Sequence, residues 1–404
     1  MLTPRLFAPL REGARIGKVL RDRVLTLPAM SAIVVSLVWR QISSLSEMLR
    51  ILEREGALWL EPTKVSKQAL SKRMARMPAE LFAKVLNEVI KQLPAPPKEL
   101  AGAGEWNRVR QRFGAVYLAD GSTLEALRKK LQSLKEKEGT VLGGKMMMIV
   151  EAFTRAPVQV SYNSNPNTND KEFIDEVVKA LPVGGLLVID LGFFSFRVFD
   201  RLSDDGKFFI TRLREKTAYR VIEELSSGAY YKDEIIEVGQ YRSNPCKHRV
   251  RHVAVLWNST WYHYLTNVFS PEALSARQVC ELYRRRWRIE EAFLLTKRLL
   301  GLSYLWVGAS NGVAIQIYAT WIFYAVLINL CVDVAQALGE PVERISVEMI
   351  FRSLYHFSRA QQLGENPVLI EFLVQHAQLL GLVKTLRKRH RLRDDQNQLM
   401  WAIP

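Results

Sequence analysis

The first ninety residues place apolar side chains at helical spacing. Ser44-Leu-Ser-Glu47 is a capping box that predicts the start of an amphipathic helix, and Gly56 would close that helix. A second, polar and basic helix is predicted to begin after Ser66, which has the residue type of an N-cap. The run Val24–Trp39 is apolar but contains Pro28 and lacks a leader cleavage site. We therefore expect a core helix there, within a helical and basic N-terminal region.

A Pro- and Gly-rich linker at 94–104 separates this region from short apolar runs typical of buried strands. The predicted strands are Phe113–Ala119, Lys145–Phe153, Pro157–Asn163, Gly184–Asp190 and Lys207–Leu213. Helices are predicted at Asp170–Leu181 and Phe196–Leu202. The order βββαβαβ indicates a mixed α/β sheet domain.

A strand-rich, aromatic and basic segment at about 215–269 interrupts this pattern, and a helix is predicted at Ser270–Leu300. The whole chain then divides into three regions. We expect a helical domain at 1–105, a sheet domain with a β-rich insertion at 106–310, and a helical C-terminal region at 311–404. The last region includes the basic stretch Lys384–Arg393. The predicted fold class is α/β, with a mixed sheet core between helical flanks.

One apolar run raises the question of a membrane. Val313–Val332 is long enough to span a bilayer, and no charged residue occurs from Leu299 to Val332. Gln316, Thr320 and Asn329 dilute its apolar character, and no second convincing span follows. We expect this run to be buried inside the protein, and a basic membrane protein anchored here is the alternative.

Composition adds a charge argument. The 404 residues contain 57 Lys and Arg against 41 Asp and Glu, a formal net charge of +16. This excess favours a polyanionic partner, usually nucleic acid, although an anionic membrane surface would also suit it. The three cysteines form no pairwise motif, which argues against a disulfide framework and favours a reducing cytoplasm. Cys246, His248 and His252 match no common zinc spacing and lack a fourth ligand.

The predicted helix at Ser270–Leu300 carries a conspicuous stripe. Tyr283, Arg286, Glu290 and Lys297 have the spacing Y-x2-R-x3-E-x6-K. At about 100° per residue they fall within an arc of roughly 60°, whereas Glu291 lies about 80° from Tyr283. The alternative is a solvated helix face with i,i+3 and i,i+4 ion pairs. A carboxylate between cations suits a metal beside a phosphodiester, so Glu290 is the acid that we favour.

Two upstream acids extend this set. Asp120 and Asp190 each follow an apolar strand, and ligands of open sheets collect at the carboxyl ends of strands. Either residue, taken alone, has an ordinary alternative as a turn or helix-cap residue. Together with Glu290 they supply hard oxygen ligands, which select Mg²⁺ or Mn²⁺. Two such ions about 4 Å apart can activate an attacking oxygen and stabilise the leaving oxygen of a phosphodiester.

The spacing of the stripe resembles the YREK signature of bacterial DDE transposases of the insertion-sequence-four family. The strings Asp120-Gly-Ser-Thr and Asp190-Leu-Gly-Phe-Phe are similar to the first two acid motifs of that family, and the resemblance covers about Arg112–Leu300. It implies an RNase H-like core with a β-rich insertion before the third acid. It also implies that Asp120 bridges two metal ions, while Asp190 and Glu290 each hold one.

The resemblance also implies contacts with DNA. Residues equivalent to Tyr283, Arg286 and Lys297 hold the strand near the cleaved end in that family. Family members also flip a base onto an aromatic residue of the insertion. Trp257 and Trp261 are the candidates here, and the alternative for each is a core aromatic on a strand face.

The resulting hypothesis is a cut-and-paste DNA transposase, active as a homodimer that joins two element ends and a target DNA. The helix after Ser66 would carry Lys67, Gln68, Lys72 and Arg73 into a groove of the terminal inverted repeat, as in a helix-turn-helix, although any small helical bundle shows this pattern. Such an enzyme is expected in the bacterial cytoplasm, on the nucleoid, and not in a membrane. The rival hypothesis is a non-catalytic DNA-binding descendant of a transposase.

Overall fold

The computed structural model describes residues 24–42, 44–94, 97–100, 103–124, 144–257, 259–302 and 305–385. Part of the predicted linker, at 95–96 and 101–102, lies outside these residues. So does the predicted basic stretch from residue 386 onward.

The N-terminal region is helical, as the spacing of its apolar residues predicts. Its helices are α1 (Leu27–Trp39), α2 (Leu45–Arg54), α3 (Lys67–Arg76), α4 (Ala79–Gln92) and α5 (Trp106–Phe113). The Ser44 side chain accepts from the Glu47 N–H, and the Ser66 side chain accepts from the Ala69 N–H. Both predicted N-caps are therefore confirmed, since each satisfies one of the unpaired N–H groups at a helix start.

The long apolar run forms a core helix. Helix α10 (Ser310–Leu338) is long and apolar enough to cross a membrane, but 83% of its most apolar window is buried inside the protein. It packs against α1, α3 and α4 and against the sheet. Its polar positions have internal partners, because Gln316 accepts from the Trp306 N–H and Thr320 donates to the Gln316 carbonyl. The prediction that this run is buried inside the protein is confirmed.

A nine-stranded mixed sheet forms the centre of the described chain. Its strands are β1 (Val116–Thr123), β2 (Lys145–Glu151), β3 (Pro157–Asn163), β4 (Leu186–Ile189), β5 (Phe208–Arg212), β6 (Tyr219–Gly228), β7 (Tyr231–Val238), β8 (Val250–Trp257) and β9 (Thr260–Thr266). The spatial order is β3-β2-β1-β4-β5-β9-β8-β7-β6. Strands β1, β4 and β5 are parallel neighbours, and the other pairs are antiparallel. The predicted mixed α/β core is confirmed.

The two faces of the sheet are buried by different helices. Alternate residues point to opposite faces of a strand, so Leu118 and Val188 pack toward α10 and the N-terminal helices, whereas Ala119 and Ile189 pack on the other face. That second face is covered by α6 (Ile174–Ala180) and α7 (Phe196–Asp204). Both helices lie where the sequence predicts them, although the first turn of the former, Asp170–Phe173, is a 3₁₀ helix.

The first strand differs from its predicted bounds. Phe113 belongs to α5 rather than to a strand, because Gly114 ends that helix with a φ of 66°. Strand β1 continues through Thr123, since its residues stay paired with β2 as far as the Thr123–Lys145 pair. Asp120 therefore lies within β1, opposite Met148, and not in a turn after it.

The chain after the insertion is more broken than predicted. Helix α8 (Ala276–Arg285) begins at a capping box formed by Ser275 and Gln278, so residues 270–275 are not helical. Arg286 separates it from α9 (Trp287–Leu294), which runs into a π-helical turn at Leu295–Leu299. The prediction of one continuous helix is wrong. Beyond α10, the C-terminal region contains α11 (Val347–Gln362) and α12 (Leu369–Gln375).

Candidate active site

Asp120 and Asp190 lie side by side on neighbouring parallel strands. Ala119 of β1 is paired with Ile189 of β4, so the two acids follow paired residues. The Asp120 Oδ1 accepts from the Gly121 N–H at 2.8 Å, and the Asp190 Oδ1 accepts from the Leu191 N–H at 2.7 Å. Each carboxylate is thereby oriented by the backbone that follows it.

This pair is electrostatically short of positive charge. The pKa of Asp120 is raised from 3.8 to about 6, mainly by burial and also by the nearby carboxylates of Asp190 and Asp170, although Arg286 and the Gly121 N–H lower it. Burial penalises the charged form of a carboxylate, and like charges add to that penalty. An added cation at this point would stabilise the ionised acids.

Tyr283 near the end of α8 and Arg286, which directly follows that helix, both contact these acids. The Tyr283 hydroxyl donates to the Asp190 Oδ1 at 3.0 Å, and the Arg286 Nη1 donates to the Asp120 Oδ2 at 2.6 Å. The Arg286 Nη2 also lies 3.9 Å from the Glu290 Oε1. One guanidinium therefore contacts both the first and the third predicted acids. Burial and the neighbouring Asp190 raise the pKa of Tyr283, so its hydroxyl stays protonated and donates.

Lys297 reaches the same strand from the π-helical turn. Its Nζ donates to the Ser122 Oγ at 2.6 Å and to the Thr123 carbonyl at 3.1 Å. The turn is marked by the bond from the Leu300 N–H to the Leu295 carbonyl at 3.0 Å, an i→i+5 bond. The uniform rotation of 100° per residue therefore does not apply at Lys297. Burial lowers the pKa of this lysine.

Glu290 and Glu291 face different surroundings. Glu290 has a 45% exposed side chain on the side of Arg286, whereas Glu291 is 55% exposed and lies 3.7 Å from Arg155. Arg155 belongs to the turn after β2, where its guanidinium donates to the Val342 carbonyl and its own carbonyl accepts from the Tyr324 hydroxyl. Glu290 is thus the acid that shares a contact with Asp120.

The donor set suits a hard divalent cation. Carboxylate oxygens are the preferred protein ligands of Mg²⁺ and Mn²⁺, and a cation beside the buried Asp120 would offset the burial that raises its pKa. Among the described residues, no group of three or more His, Cys, Asp or Glu side chains is close enough to hold an ion. The guanidinium of Arg286 stands between Asp120 and Glu290. Asp120 and Asp190 are the two acids that could provide ligands together, and Glu290 is separated from Asp120 by Arg286.

A third aspartate beside this pair escaped the sequence analysis. Asp170 forms an ion pair with Lys145 at 2.6 Å, and a Cβ atom added to Gly121 or Gly192 would meet its carboxylate. The signal that was available is the pair of glycines one and two residues after the acids, in Asp120-Gly and Asp190-Leu-Gly. Glycine at such positions is typical of a close approach by another group.

An aromatic cavity of about 350 Å³ opens beside Tyr283. It is lined by Arg212, Val255, Trp257, Tyr262, Tyr264, Cys280, Tyr283, Arg284 and Trp287. Of the two predicted stacking residues, Trp257 lines this cavity, whereas Trp261 lies on β9 outside its lining. Trp287 is largely exposed and was not predicted. The sequence signal for Trp287 was its position next to Arg286. In the structure, the Arg286 guanidinium lies 5.9 Å from the centre of the Trp287 ring.

The predicted recognition helix lies far along the chain from these residues. Helix α3 buries Leu70 and Met74 and packs against α2. Lys67, Gln68 and Lys72 are exposed, and Arg73 is half-buried.

The residues considered for zinc have other partners. The Cys246 thiol contacts Asp200, and His248 lies 2.6 Å from Asp204. His252 is buried between Glu234 and His263.

Comparison with known proteins identifies the domain that holds the acid pair. Residues 111–326 match the family model of the transposase DDE domain. A protein of Synechocystis sp. named as a transposase for insertion sequence element IS4SA is 26% identical over 164 residues, which is 39% of this chain and 45% of that protein. A protein of Geobacillus stearothermophilus named as a transposase for IS5377 is 25% identical over 150 residues, 35% of this chain and 38% of that protein. The chain thus spans less than half the length of either relative.

Proposed function

The chain belongs to the transposase DDE domain family, and we propose that it cleaves and joins DNA at the ends of an insertion sequence. Its mixed sheet is consistent with the RNase H-like core of such enzymes. The observation that carries the proposal is the pair Asp120 and Asp190 on neighbouring strands, contacted by Tyr283 of α8 and by Arg286, which directly follows that helix. This site combines two carboxylates with the guanidinium of Arg286, and it lies beside an open aromatic cavity.

Asp120, Asp190 and Glu290 are the residues that would hold divalent cations. When bound, two Mg²⁺ or Mn²⁺ ions would supply activation of the attacking water or 3′-hydroxyl and stabilisation of the leaving oxygen. The part of Tyr283 is to fix the orientation of the Asp190 carboxylate through its hydrogen bond. The hydrogen bond from the Gly121 N–H holds the Asp120 carboxylate toward the same edge of the sheet.

Arg286 has two successive partners in this scheme. Without DNA it neutralises Asp120 and lies near Glu290, as its contacts of 2.6 Å and 3.9 Å indicate. With cations on the acids, the guanidinium would turn to a phosphate beside the scissile bond, an exchange of one charge-assisted bond for another. Lys297 would make the same exchange from Ser122 to the DNA backbone. Neither residue would read a base.

The aromatic cavity gives the proposal a place for a flipped base. Trp257 and Trp287 line it together with tyrosines and two arginines, and base–aromatic stacking tolerates any base. Its neighbour Tyr283 also contacts Asp190, so a base held there would lie next to the cleaved strand. Trp261, on the exposed part of β9, is the weaker candidate of the two that the sequence offers.

Recognition of the terminal inverted repeat is assigned to the helical region at 1–105. Lys67, Gln68 and Lys72 project from α3 into solvent, and Arg73 flanks them. We assign catalysis to 106–310, and assembly of a homodimer on two element ends to 311–404. The proposed setting is the bacterial cytoplasm, on the nucleoid, with element ends and target DNA as partners and no membrane.

The test is cleavage of DNA that carries the inverted repeats flanking the reading frame. Asp120→Asn and Asp190→Asn should each abolish Mg²⁺-dependent nicking while end binding stays close to that of the unaltered protein. Asp175→Asn, an exposed acid on α6, is the matched control and should cleave normally. End binding without cleavage by the unaltered protein would favour the non-catalytic DNA-binding descendant.

A further inference from the structure

Asp170 lies at the edge of the acid pair, in a turn whose start is fixed by hydrogen bonds. It begins the 3₁₀ turn Asp170–Phe173, which follows β3 and is capped by the side chain of Asn169. The Asn169 N–H donates in return to the Glu172 carboxylate at 3.3 Å. This reciprocal capping fixes where the turn starts, and therefore where the Asp170 side chain leaves the backbone.

Two glycines make room for the Asp170 carboxylate. A Cβ atom on Gly121 would overlap its Oδ1, and a Cβ atom on Gly192 would lie 2.8 Å from its Oδ2. All three of the nearest atoms to the latter Cβ belong to Asp170. Gly121 follows Asp120 directly, and Gly192 is two residues after Asp190, so one carboxylate rests on the backbone of both acid-bearing segments.

Lys145 holds this carboxylate from the other side. Its Nζ lies 2.6 Å from the Asp170 Oδ1, and its Cε also packs over Gly121. Lys145 starts β2 and is paired with Thr123 at the end of β1. Both side chains of the ion pair are mostly buried, so solvent screens it less than a surface pair. The ion pair therefore connects β2 to the edge formed by β1 and the segment after β4.

We propose that Asp170, held by Lys145 over Gly121 and Gly192, is a positioning residue that sets the spacing and affinity of Asp120 and Asp190 for divalent cations. This inference rests on the proposed function. Asp170 acts in two ways through the pair. Its contact with both backbone segments fixes the separation of the two acids, and its negative charge favours a cation beside them. Outer partners of metal ligands commonly matter in this way.

The variants separate this role from a general effect on folding. Asp170→Asn keeps the shape and removes the charge. Gly192→Ala leaves Asp170 intact but pushes its carboxylate off its position, because the three atoms nearest to that Cβ all belong to Asp170. Since both changes act on the same contact, the double variant should lose no more than the larger single effect. Asp175→Asn again serves as the matched control.

Two readouts are needed, and only one involves cleavage. Titration calorimetry with Mn²⁺ on the DNA-free protein should show affinity about 10-fold weaker in Asp170→Asn and in Gly192→Ala. The Mg²⁺ concentration for half-maximal cleavage should rise by a similar factor, with the maximal rate regained at high Mg²⁺. Unchanged Mn²⁺ affinity, or a loss of cleavage that high Mg²⁺ does not restore, would overturn the inference. Failure of the proposed function looks different, because the unaltered protein would then not cleave at any Mg²⁺ concentration.

Discussion

Two buried arginine–aspartate pairs in this protein differ in how completely they are satisfied. In the insertion, Arg251 of β8 and Asp233 of β7 have side chains that are 0% and 2% exposed. Two hydrogen bonds of 2.6 Å join them, and the remaining Arg251 nitrogen donates to the carbonyls of Val268, Ser270 and Leu274. Every guanidinium nitrogen is used, and the segment leading into α8 is fixed to the insertion.

The pair at the acid edge is incomplete by comparison. Arg286 makes one bond of 2.6 Å to Asp120, and its buried Nε has no hydrogen-bond partner among the described residues. Asp190 and Glu290 also lie within its electrostatic reach. A saturated pair has no reason to open, whereas a guanidinium with an unused donor and several acids nearby can change partner at lower cost. We infer that the first pair serves stability and the second serves the reaction.

The largest expected effect is a difference between the two arginine–aspartate pairs in how much each contributes to the free energy of unfolding. Arg251→Met should reduce the free energy of unfolding by about 3–5 kcal/mol, because it leaves Asp233 buried without a counter-ion. Arg286→Met should cost much less, since Asp120 can take up a proton instead, but should abolish DNA cleavage. Chemical denaturation of both variants measures the difference.

The control for this comparison replaces both partners of the stable pair. Arg251→Met combined with Asp233→Leu should recover a large part of the lost stability, since apolar pairs of similar volume often substitute for buried ion pairs. Equal losses in Arg251→Met and Arg286→Met would remove the distinction between the pairs.

The raised pKa of Asp120 predicts a stability cost in the metal-free protein. The folded state binds the proton on Asp120 more tightly than the unfolded chain, so the contribution of Asp120 to stability is fully present below pH 3.8 and is lost as the pH rises through about 6. The difference between these two values corresponds to roughly 3 kcal/mol at pH 8. Asp120→Asn should therefore be more stable than the unaltered protein at pH 8 with a chelator present, and nearly equal at pH 4.

Thermal unfolding with a chelator, across this pH range, checks that sign. Added Mg²⁺ should narrow the gap between the two proteins at pH 8, because a bound cation favours the ionised acid. A variant that is less stable at pH 8 would mean that the bond to Arg286 outweighs burial, and that the pair at the acid edge is as well satisfied as the pair in the insertion.

The aromatic cavity beside Tyr283, close to Arg286, should bind a base. Trp257→Ala should weaken binding of a cleaved end by about 1–3 kcal/mol, the usual value of one base–aromatic stack. Trp261→Ala is the matched control from the same β-hairpin and should have little effect. Fluorescence of 2-aminopurine at the terminal positions reports the stacking directly. An equal loss in both variants would place the base outside the cavity.

The smallest effect concerns the salt dependence of DNA binding. Arg286→Ala and Lys297→Ala should each flatten the log–log salt slope by about 1 on cognate and unrelated DNA alike. Lys67→Ala, Gln68→Ala and Arg73→Ala should instead reduce the preference for the cognate end. Loss of sequence preference in the Lys297 variant, with an unchanged salt slope, would contradict the assignment of this lysine to a phosphate rather than to a base.

Local patterns predicted what depends on neighbours along the chain. The N-caps Ser44 and Ser66, the burial of Val313–Val332 and the mixed sheet all follow from residue type and spacing. What the sequence could not supply depends on contacts between distant segments. The extension of β1 through Thr123 depends on pairing with β2, and the break at Arg286 accompanies its bond to Asp120.

The candidate site divides in the same way. Motif spacing was enough to nominate Asp120, Asp190 and the stripe. It was not enough to find Asp170, which comes from the turn after β3 and approaches the pair only through the fold. It also could not tell that Arg286 and Lys297 are already bonded to β1 residues in the protein without DNA.

Whether Asp120, Asp190 and Glu290 act as one site is tested most directly by a matched pair of variants. Glu290→Gln and Glu291→Gln change adjacent residues of similar exposure in the same way, but only Glu290 shares a contact with Asp120 through Arg286. Mg²⁺-dependent cleavage of an end oligonucleotide should disappear in Glu290→Gln and persist in Glu291→Gln, with both proteins still binding the end. Cleavage by Glu290→Gln, or its loss in Glu291→Gln alone, would contradict the assignment of the third acid.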